Sequence, residues 1–230
     1  MQRLDVIAVG IDACSKGWIA VVLRDDAAPE AVFLSKLSEI RQSIPDAELL
    51  AIDIPIGLLS DRQRKADAAA RKFVGPRASS IFSTPVRPAF EAENYLEANR
   101  ISIERCNLGI TKQAFALRKK VLEADAWLPD APCDVREVHP EVSFRELFDA
   151  PVQSTKKSWA GMLERREALE SVGIDLGHVA RDVAVLAGVD DMLDAGVAAW
   201  SARRILAGGG RSLPDPPEEG PDGRLIAIWV

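Results

Sequence analysis

An aspartate inside an almost uninterrupted apolar run is the feature that most constrains this chain. The run is VIAVGIDACSKGWIAVVL, residues 6–23, and the aspartate is Asp12. The β-branched, apolar flanks of this run predict adjacent strands over 5–12 and 18–23, joined by a tight turn. Because a buried carboxylate without a partner costs several kcal/mol, the fold has to provide a partner at the end of the first strand.

Further apolar runs predict the rest of a sheet. Residues 30–34 predict a third strand, 37–43 a short helix, and LLAIDIP at 49–55 a central strand covered on both faces. DVREVH at 134–139 predicts another strand, after which Pro140 opens a short helix. This order of elements indicates an α/β fold with a mixed sheet of antiparallel and parallel strands.

The residues from 60 to 132 have a different character. Helix formers dominate 61–74, and a further helix is predicted over 112–126. Serine, threonine and proline make 79–90 an irregular loop. Since little of this part alternates like a strand, we interpret it as a mainly helical insertion within one domain that spans 1–230.

The last third of the chain predicts helices, a loop and a strand. Residues 160–207 have helical character, with a break near 173–177. The segment 208–223, rich in glycine and proline, predicts a loop, and RLIAIWV at 224–230 predicts a terminal strand. These elements complete an α/β domain whose sheet is flanked by helices.

The composition restricts the class of protein. Of the 230 residues, 47% are hydrophobic and 28% are charged, which is typical of a globular protein. The net charge of −6 argues against general affinity for nucleic acid or membranes, although it allows a local basic surface. No apolar stretch reaches the roughly 18 residues of a membrane span, no signal-peptide pattern opens the chain, and the three cysteines are too scattered for a disulfide framework. We therefore expect a cytoplasmic protein without a membrane partner.

Four aspartates are predicted at the ends of neighbouring elements. Asp12 ends the first strand, and Asp53 ends the strand over 49–55. Asp191 and Asp194 lie three residues apart, and therefore on one face of the last long helix. If that helix crosses the strand ends, the four carboxylates converge and need cations, for which oxygen ligands select Mg²⁺ or Mn²⁺. Two such ions activate water for phosphodiester hydrolysis, so we predict all four aspartates as metal ligands and catalytic residues.

Each of these aspartates also has a structural explanation. An aspartate at a strand end is often a turn or cap residue, and Asp190 or Asp191 suits the N-cap of its helix, a role that we assign to Asp190. Asp194 is harder to explain in this way, because small and apolar residues surround it on a helix that should pack on the sheet. The metal site is therefore predicted from the set of four.

Two further ionisable residues lie in VHPEVSF, residues 138–144. Pro140 suits the first turn of a helix, where Glu141 either favours the helix dipole or adds a fifth catalytic carboxylate at the rim of the site. His139 is a candidate proton carrier or orienting hydrogen-bond partner beside it. Both explanations stay open from the residues alone.

Basic residues are concentrated in two parts of the chain. One cluster lies between 61 and 87, and a second group consists of Lys156, Lys157, Arg165 and Arg166. Such charges often form only a solvated helix face, but beside an acidic metal site arginine and lysine contact phosphate. The candidate substrate-binding residues are Lys16, Arg71, Arg77, Ser80, Arg87, His139 and Lys157.

Five motifs together resemble a known family. GIDACSKGW, AIDIPIGL, SSIFSTPVR, VHPEVSF and DDMLDA are similar to those of domain-of-unknown-function family 429, whose members are described as predicted nucleases with an RNase H-like fold. The resemblance implies a five-stranded sheet whose first three strands are antiparallel. It also implies catalytic carboxylates on the first strand, the fourth strand and the last helix, as in RuvC-type resolvases. The matching residues are Asp12, Asp53 and the D-x-x-D-A pattern at 191–195. The chain departs from the resolvases in two respects. The basic arms of a junction-binding dimer are not obvious, and the helical insertion is not part of the basic fold.

Three functions are consistent with these residues. The first is a Mg²⁺- or Mn²⁺-dependent nuclease that hydrolyses DNA or RNA, which makes nucleic acid the expected partner. The second is an ATP-dependent phosphotransferase or ATPase of the actin and sugar-kinase relatives, whose first hairpin has a similar G-I-D-x-x-x-x-G pattern, although those proteins usually duplicate the domain. The third is a non-catalytic metal- or nucleic-acid-binding module. The oligomeric state is not determined by the sequence.

Overall fold

Five strands form the main sheet of the computed structural model, which describes residues 7–230. In chain order these strands are β1 (Ala8–Cys14), β2 (Gly17–Leu23), β3 (Glu30–Leu34), β4 (Leu49–Ile52) and β5 (Asp134–Glu137). Their order across the sheet is β3-β2-β1-β4-β5, with β1–β2 and β2–β3 antiparallel and β1–β4 and β4–β5 parallel. The predicted α/β class and mixed sheet are thus confirmed, in an arrangement consistent with an RNase H-like fold.

The first hairpin forms because both of its strands are apolar and covered on both faces. All of β2 and all but one residue of β1 are buried. Cys14 pairs with Gly17, so that a two-residue turn joins the strands. A Cβ on Gly17 would lie 2.2 Å from the carbonyl oxygen of Leu34 in β3. Glycine is therefore required where β2 begins.

Ten α-helices flank the sheet in the described residues. They are α1 (Ile40–Ser43), α2 (Lys65–Val74), α3 (Arg87–Glu91), α4 (Tyr95–Cys106), α5 (Lys112–Ala116), α6 (Arg118–Trp127), α7 (Pro140–Leu147), α8 (Trp159–Ser171), α9 (Arg181–Ala184) and α10 (Val189–Leu206). One face of the sheet packs against α1, α3 and α6, and the other against α7, α8 and α10. None of these helices is both long and apolar enough to cross a membrane.

The segment 60–132, interpreted from the sequence as a mainly helical insertion, contains α2–α6. Gly75 follows α2 with a φ of +62°, a conformation that ends the helix at the predicted position. The single helix predicted over 112–126 is divided at Leu117 into α5 and α6. In addition, α3 begins inside the loop predicted over 79–90. The insertion thus has more and shorter helices than expected.

The C-terminal segment differs from its prediction. Part of the predicted loop over 208–223 forms strand β6 (Ser212–Glu219), which pairs antiparallel with β7 (Leu225–Trp229) in a separate two-stranded sheet. The prolines of β6 conceal the strand in the sequence, and they are tolerated because the two-stranded sheet leaves an edge open and its register is shifted. The helical region 160–207 is also interrupted for longer than predicted, since α8 and α10 are separated by the short α9 and a one-turn 3-10 helix, Leu176–His178.

Helix α10 packs directly on β1 at Gly10. A Cβ built on Gly10 would lie 2.0 Å from the amide nitrogen of Ala199 and 2.2 Å from the carbonyl oxygen of Ala195. The helix presents small, fully buried residues in this region, including Ala198 and Ala202. The backbone of α10 therefore occupies the space that a side chain at position 10 would need.

Gly10→Ala should destabilise the protein by about 3 kcal/mol, because its methyl group forces α10 away from the sheet. The matched control is Gly209→Ala, an exposed position where the new Cβ would meet the flexible side chain of Arg204 at 3.3 Å. Denaturant unfolding measures the free energy of unfolding of both variants. Equal stability of Gly10→Ala and the wild type would contradict this description of the packing.

Candidate functional site

The four predicted aspartates line one cavity of about 600 Å³. Asp12 lies in β1, and Asp53 directly follows β4. Asp191 and Asp194 lie near the beginning of α10. The structure thus brings together four carboxylates from three elements that are distant in sequence, while their role as metal ligands and catalytic residues remains a prediction.

The parallel pairing of β1 and β4 explains why Asp12 and Asp53 are neighbours. Ile11 is paired with Ile52, so that the residue following each of them lies at the same edge of the sheet. The amide of Asp53 donates a 2.9 Å hydrogen bond to the carbonyl oxygen of Ile11. The close contact of α10 with β1 carries Asp194 to the same edge.

Burial makes Asp12, Asp53 and Asp194 weaker acids than an ordinary aspartate. Only 8% of Asp12 and 2% of Asp194 are exposed. Burial raises the pKa of Asp12 well above its ordinary value, and repulsion from the neighbouring aspartates adds to the shift. Burial also raises the pKa of Asp53 to about 7 and that of Asp194 to about 6, although the ammonium of Lys156 opposes both shifts. The ionised forms of Asp12, Asp53 and Asp194 would therefore be stabilised by a cation in the cavity.

Lys156 supplies positive charge to this cavity. Its Nζ donates a 2.7 Å hydrogen bond to Oδ2 of Asp194, and 40% of its side chain is exposed. Its charge also acts on Asp12 and Asp53. From the sequence we selected the neighbouring Lys157 for the site, because no local signal distinguishes the two lysines. Which of the two lysines reaches Asp194 depends on how the loop before α8 approaches α10.

The cluster suits a divalent metal ion in the chemistry of its donors but not in their present spacing. Carboxylate oxygens are the donors that Mg²⁺ and Mn²⁺ prefer. Across residues 7–230, however, no group of three or more histidine, cysteine, aspartate and glutamate side chains is arranged to hold a metal ion. Oδ1 of Asp12 accepts the Ala13 amide at 2.8 Å, and Oδ2 of Asp191 accepts the Gly188 amide at 2.9 Å. Some of these side chains therefore have to move before three or more of them can share an ion.

The start of α10 corrects one structural prediction. The N-cap residue is Gly188 and not Asp190. Asp191 closes the first turn by accepting the Gly188 amide. The helix begins earlier in the sequence than the aspartate pair suggested. Asp190 therefore lies within the first turn, where its negative charge interacts favourably with the helix dipole.

His139 and Glu141 also line the cavity, at the start of α7. His139 caps this helix, since its Nδ1 accepts the amide of Glu141 at 3.2 Å. Burial lowers the pKa of His139, which favours the neutral imidazole. Oε1 of Glu141 accepts a 2.6 Å hydrogen bond from the buried Arg165, whereas Oε2 is buried without a hydrogen-bond partner. The role of Glu141 as a fifth catalytic carboxylate remains a prediction.

Four of the seven predicted substrate-binding residues line the cavity, namely Arg77, Ser80, His139 and Lys157. Arg77 donates to the carbonyl oxygen of Val152 at 3.1 Å, and Oγ of Ser80 donates to the carbonyl oxygen of Arg77 at 2.7 Å. Arg77 and Ser80 therefore take part in holding the rim of the cavity. Lys157 is exposed at the same rim.

The other three predicted substrate-binding residues lie outside the cavity lining. Arg71 donates to Oγ of Ser83 at 2.9 Å and so shapes the loop that carries the rim. Arg87 forms two hydrogen bonds, of 2.8 and 2.9 Å, with the carboxylate of Asp125. Lys16 is exposed in the turn between β1 and β2. Any contact of Arg71 or Arg87 with a substrate would have to compete with these partners.

A buried ion-pair network that the sequence analysis missed also lines the cavity. Arg64, which is 3% exposed, donates to both carboxylate oxygens of Glu137 at 2.7 Å and to Oδ1 of Asp67. Oδ2 of Asp67 accepts the Thr84 amide at 2.6 Å, and Glu137 accepts the Ile56 amide at 2.7 Å. Burial raises the pKa of Glu137 to about 7 despite the arginine. The network ties the insertion to the end of β5, and its only local signal is an arginine and an aspartate three residues apart.

The fold and the cavity define an α/β protein with an acidic site at the carboxyl ends of parallel strands. The chain belongs to the family described as protein of unknown function, DUF429, whose model matches residues 10–219. This match includes all four aspartates. No curated protein and no solved structure matches the chain. The family membership expected from the motifs is therefore confirmed, and it assigns no activity.

Without metal, the protein should lose stability as the pH rises from about 5 to about 8. Carboxylates with a raised pKa bind protons more tightly in the folded chain than in the unfolded chain. Their stabilising contribution is therefore complete below the ordinary pKa near 4 and is lost as the pH passes the folded value, about 7 for Asp53. In the Asp53→Asn variant the side chain at position 53 cannot ionise. This variant should therefore be more stable than the wild type at about pH 8 and lose this advantage at about pH 5.

Thermal unfolding in EDTA across this pH range measures the effect. Asp61→Asn is the matched control, because 72% of the Asp61 side chain is exposed. It should leave the pH profile unchanged. If Asp53→Asn also follows the wild-type profile, the buried carboxylate does not contribute as described.

Arg64→Met should destabilise the protein by about 3–5 kcal/mol, because Glu137 and Asp67 would remain buried without their cation. Arg100→Met is the control, since Arg100 pairs with Glu104 on the surface with side chains 61% and 56% exposed. That change should cost only about 0–1 kcal/mol. Denaturant unfolding compares the two, and similar losses would contradict the role of the buried network.

Proposed function

We propose that this protein is a divalent-metal-dependent nuclease that hydrolyses phosphodiester bonds of DNA or RNA. The observation that carries the proposal is the meeting of four carboxylates in one cavity at the carboxyl ends of parallel strands. Burial and raised pKa values in three of these groups create a demand for positive charge, which Mg²⁺ or Mn²⁺ would meet. The family description neither adds to nor opposes this chemistry.

The groups around the cavity have distinct roles in this proposal. The carboxylates of Asp12, Asp53, Asp191 and Asp194 would hold the cation, which when bound activates water and stabilises the leaving oxygen. Hydrolysis places the hydroxyl group of water on phosphorus and a proton on the leaving oxygen as the P–O bond breaks. Glu141 lines the same cavity, and its Oε2, which has no hydrogen-bond partner, would be available to receive a proton.

The rim of the cavity supports a phosphate-containing substrate. A protein with a net charge of −6 attracts a polyanion only where basic side chains are concentrated. Lys156, Lys157 and Arg77 provide this charge beside the cavity, and the hydroxyl group of Thr155 adds a neutral donor. Together they would bind the non-bridging phosphate oxygens while the aspartates hold the metal.

Asp12→Asn and Asp194→Asn should each reduce metal-dependent cleavage by about 100-fold or more, because an amide is a much weaker ligand than a carboxylate for a hard cation. The substrates are labelled single- and double-stranded DNA and RNA, incubated with MgCl₂ or MnCl₂ and, separately, with EDTA. Asp190→Asn is the matched control: it removes a carboxylate from the same helical turn and should retain wild-type cleavage.

The proposal is rejected if folded protein cuts none of these substrates in either metal. It is also rejected if cleavage persists in EDTA or is the same in both variants as in the wild type. Thermal stabilisation by ATP in a protein that cuts no nucleic acid would instead favour the phosphotransferase alternative.

A further inference from the structure

The loop that joins α7 to α8 is held by two other parts of the chain, and we refer to its residues 150–158 as the strap. The carboxylate of Glu164 in α8 accepts the amides of Gln153 and Ser154 at 3.0 and 2.9 Å. From the insertion, Arg77 donates to the carbonyl oxygen of Val152 at 3.1 Å. The strap therefore has a defined position although it contains no helix or strand.

This strap carries Lys156 to the acidic cavity. Nζ of Lys156 lies 2.7 Å from Oδ2 of Asp194, within hydrogen-bond distance. The side chain of Asp194 is only 2% exposed, whereas that of Lys156 is 40% exposed. The ammonium group can therefore return to water by rotation of its flexible side chain, while the carboxylate that it neutralises cannot.

Lys156 and a divalent ion would compete for Asp194. A lysine ammonium and a metal ion on the same buried carboxylate repel each other strongly, because little water is present to screen the charges. In the described residues the aspartates are not spaced to hold an ion, and one of them is already paired with the lysine. An ionised Asp194 without a cation would be costly to bury, so in its charged form it needs either the ammonium or the metal ion beside it.

We propose that Lys156 is a built-in competitor of the divalent metal ion: it binds Asp194 in the metal-free protein and has to leave before an ion binds there. The released ammonium then lies beside the cavity, where it can donate to a substrate phosphate. The inference rests on the proposed metal site, but it concerns the affinity for metal and not the cleavage reaction.

Calorimetric titration of the metal-free protein with MnCl₂ tests this competition. Lys156→Met removes the competing charge while retaining an unbranched side chain, and it should bind Mn²⁺ about tenfold more tightly than the wild type. Lys157→Met is the matched control, because it removes the adjacent lysine from the same cavity rim. That variant should bind Mn²⁺ within roughly threefold of the wild type.

Amine acetylation of the wild-type protein provides a second measurement that does not depend on a variant being folded. An ammonium released from its carboxylate reacts faster, since it loses its proton more easily. Saturating MnCl₂ should therefore increase the acetylation rate of Lys156 by roughly threefold or more relative to Lys157, as followed by peptide mass spectrometry.

Two results would overturn the proposal: Mn²⁺ binding by folded Lys156→Met that is equal to or weaker than that of the wild type, or acetylation of Lys156 that does not respond to MnCl₂ at concentrations where calorimetry shows Mn²⁺ bound to the wild type. If Mn²⁺ binds only after Lys156 is replaced, the competition is supported in its strongest form. Failure of the nuclease assay with intact competition would reject the proposed reaction and leave this inference standing, so the two failures are distinguishable.

Discussion

The direct packing of α10 against β1 at Gly10 is the contact on which the site depends. Because Gly10 has no side chain, the carbonyl oxygen of Ala195 and the amide of Ala199 come within 2.2 and 2.0 Å of the place that a Cβ would occupy. This approach brings Asp194, the residue before Ala195, to the strand end that carries Asp12. A larger residue at position 10 would separate the helix from the sheet and the two carboxylates from each other.

The buried carboxylates around the cavity need positively charged partners, and the structure provides them in two different arrangements. Arg64 lies between the carboxylates of Glu137 and Asp67, and every oxygen of these two carboxylates accepts a hydrogen bond. Among the aspartates the balance is incomplete, because several buried carboxylates share the partly exposed ammonium of Lys156. The first arrangement fixes the insertion on the sheet. The second leaves a deficit of positive charge, and this deficit is what makes the cavity a candidate for binding a cation.

The sequence predicted the elements that have strong local patterns and misplaced those that depend on distant partners. Continuous apolar runs located β1, β2 and β4, and the breaker at Gly75 located the end of α2. Strand β6 was missed because its prolines hide a strand that exists only through its pairing with β7. The assignment of Arg87 to the site depended on a distant partner in the same way. An arginine is expected to bind phosphate, but in the folded chain Arg87 pairs with Asp125.

By itself, the sequence determined the α/β class, the family and the four aspartates that share a cavity, because strand-end carboxylates and a D-x-x-D helix are local patterns. Only the tertiary structure decided which basic residues reach those aspartates. Lys156 and Lys157 are adjacent and chemically identical, yet the strap directs Lys156 to Asp194. That choice follows from the anchoring of the strap by Glu164 and Arg77, contacts across the fold that no local spacing encodes.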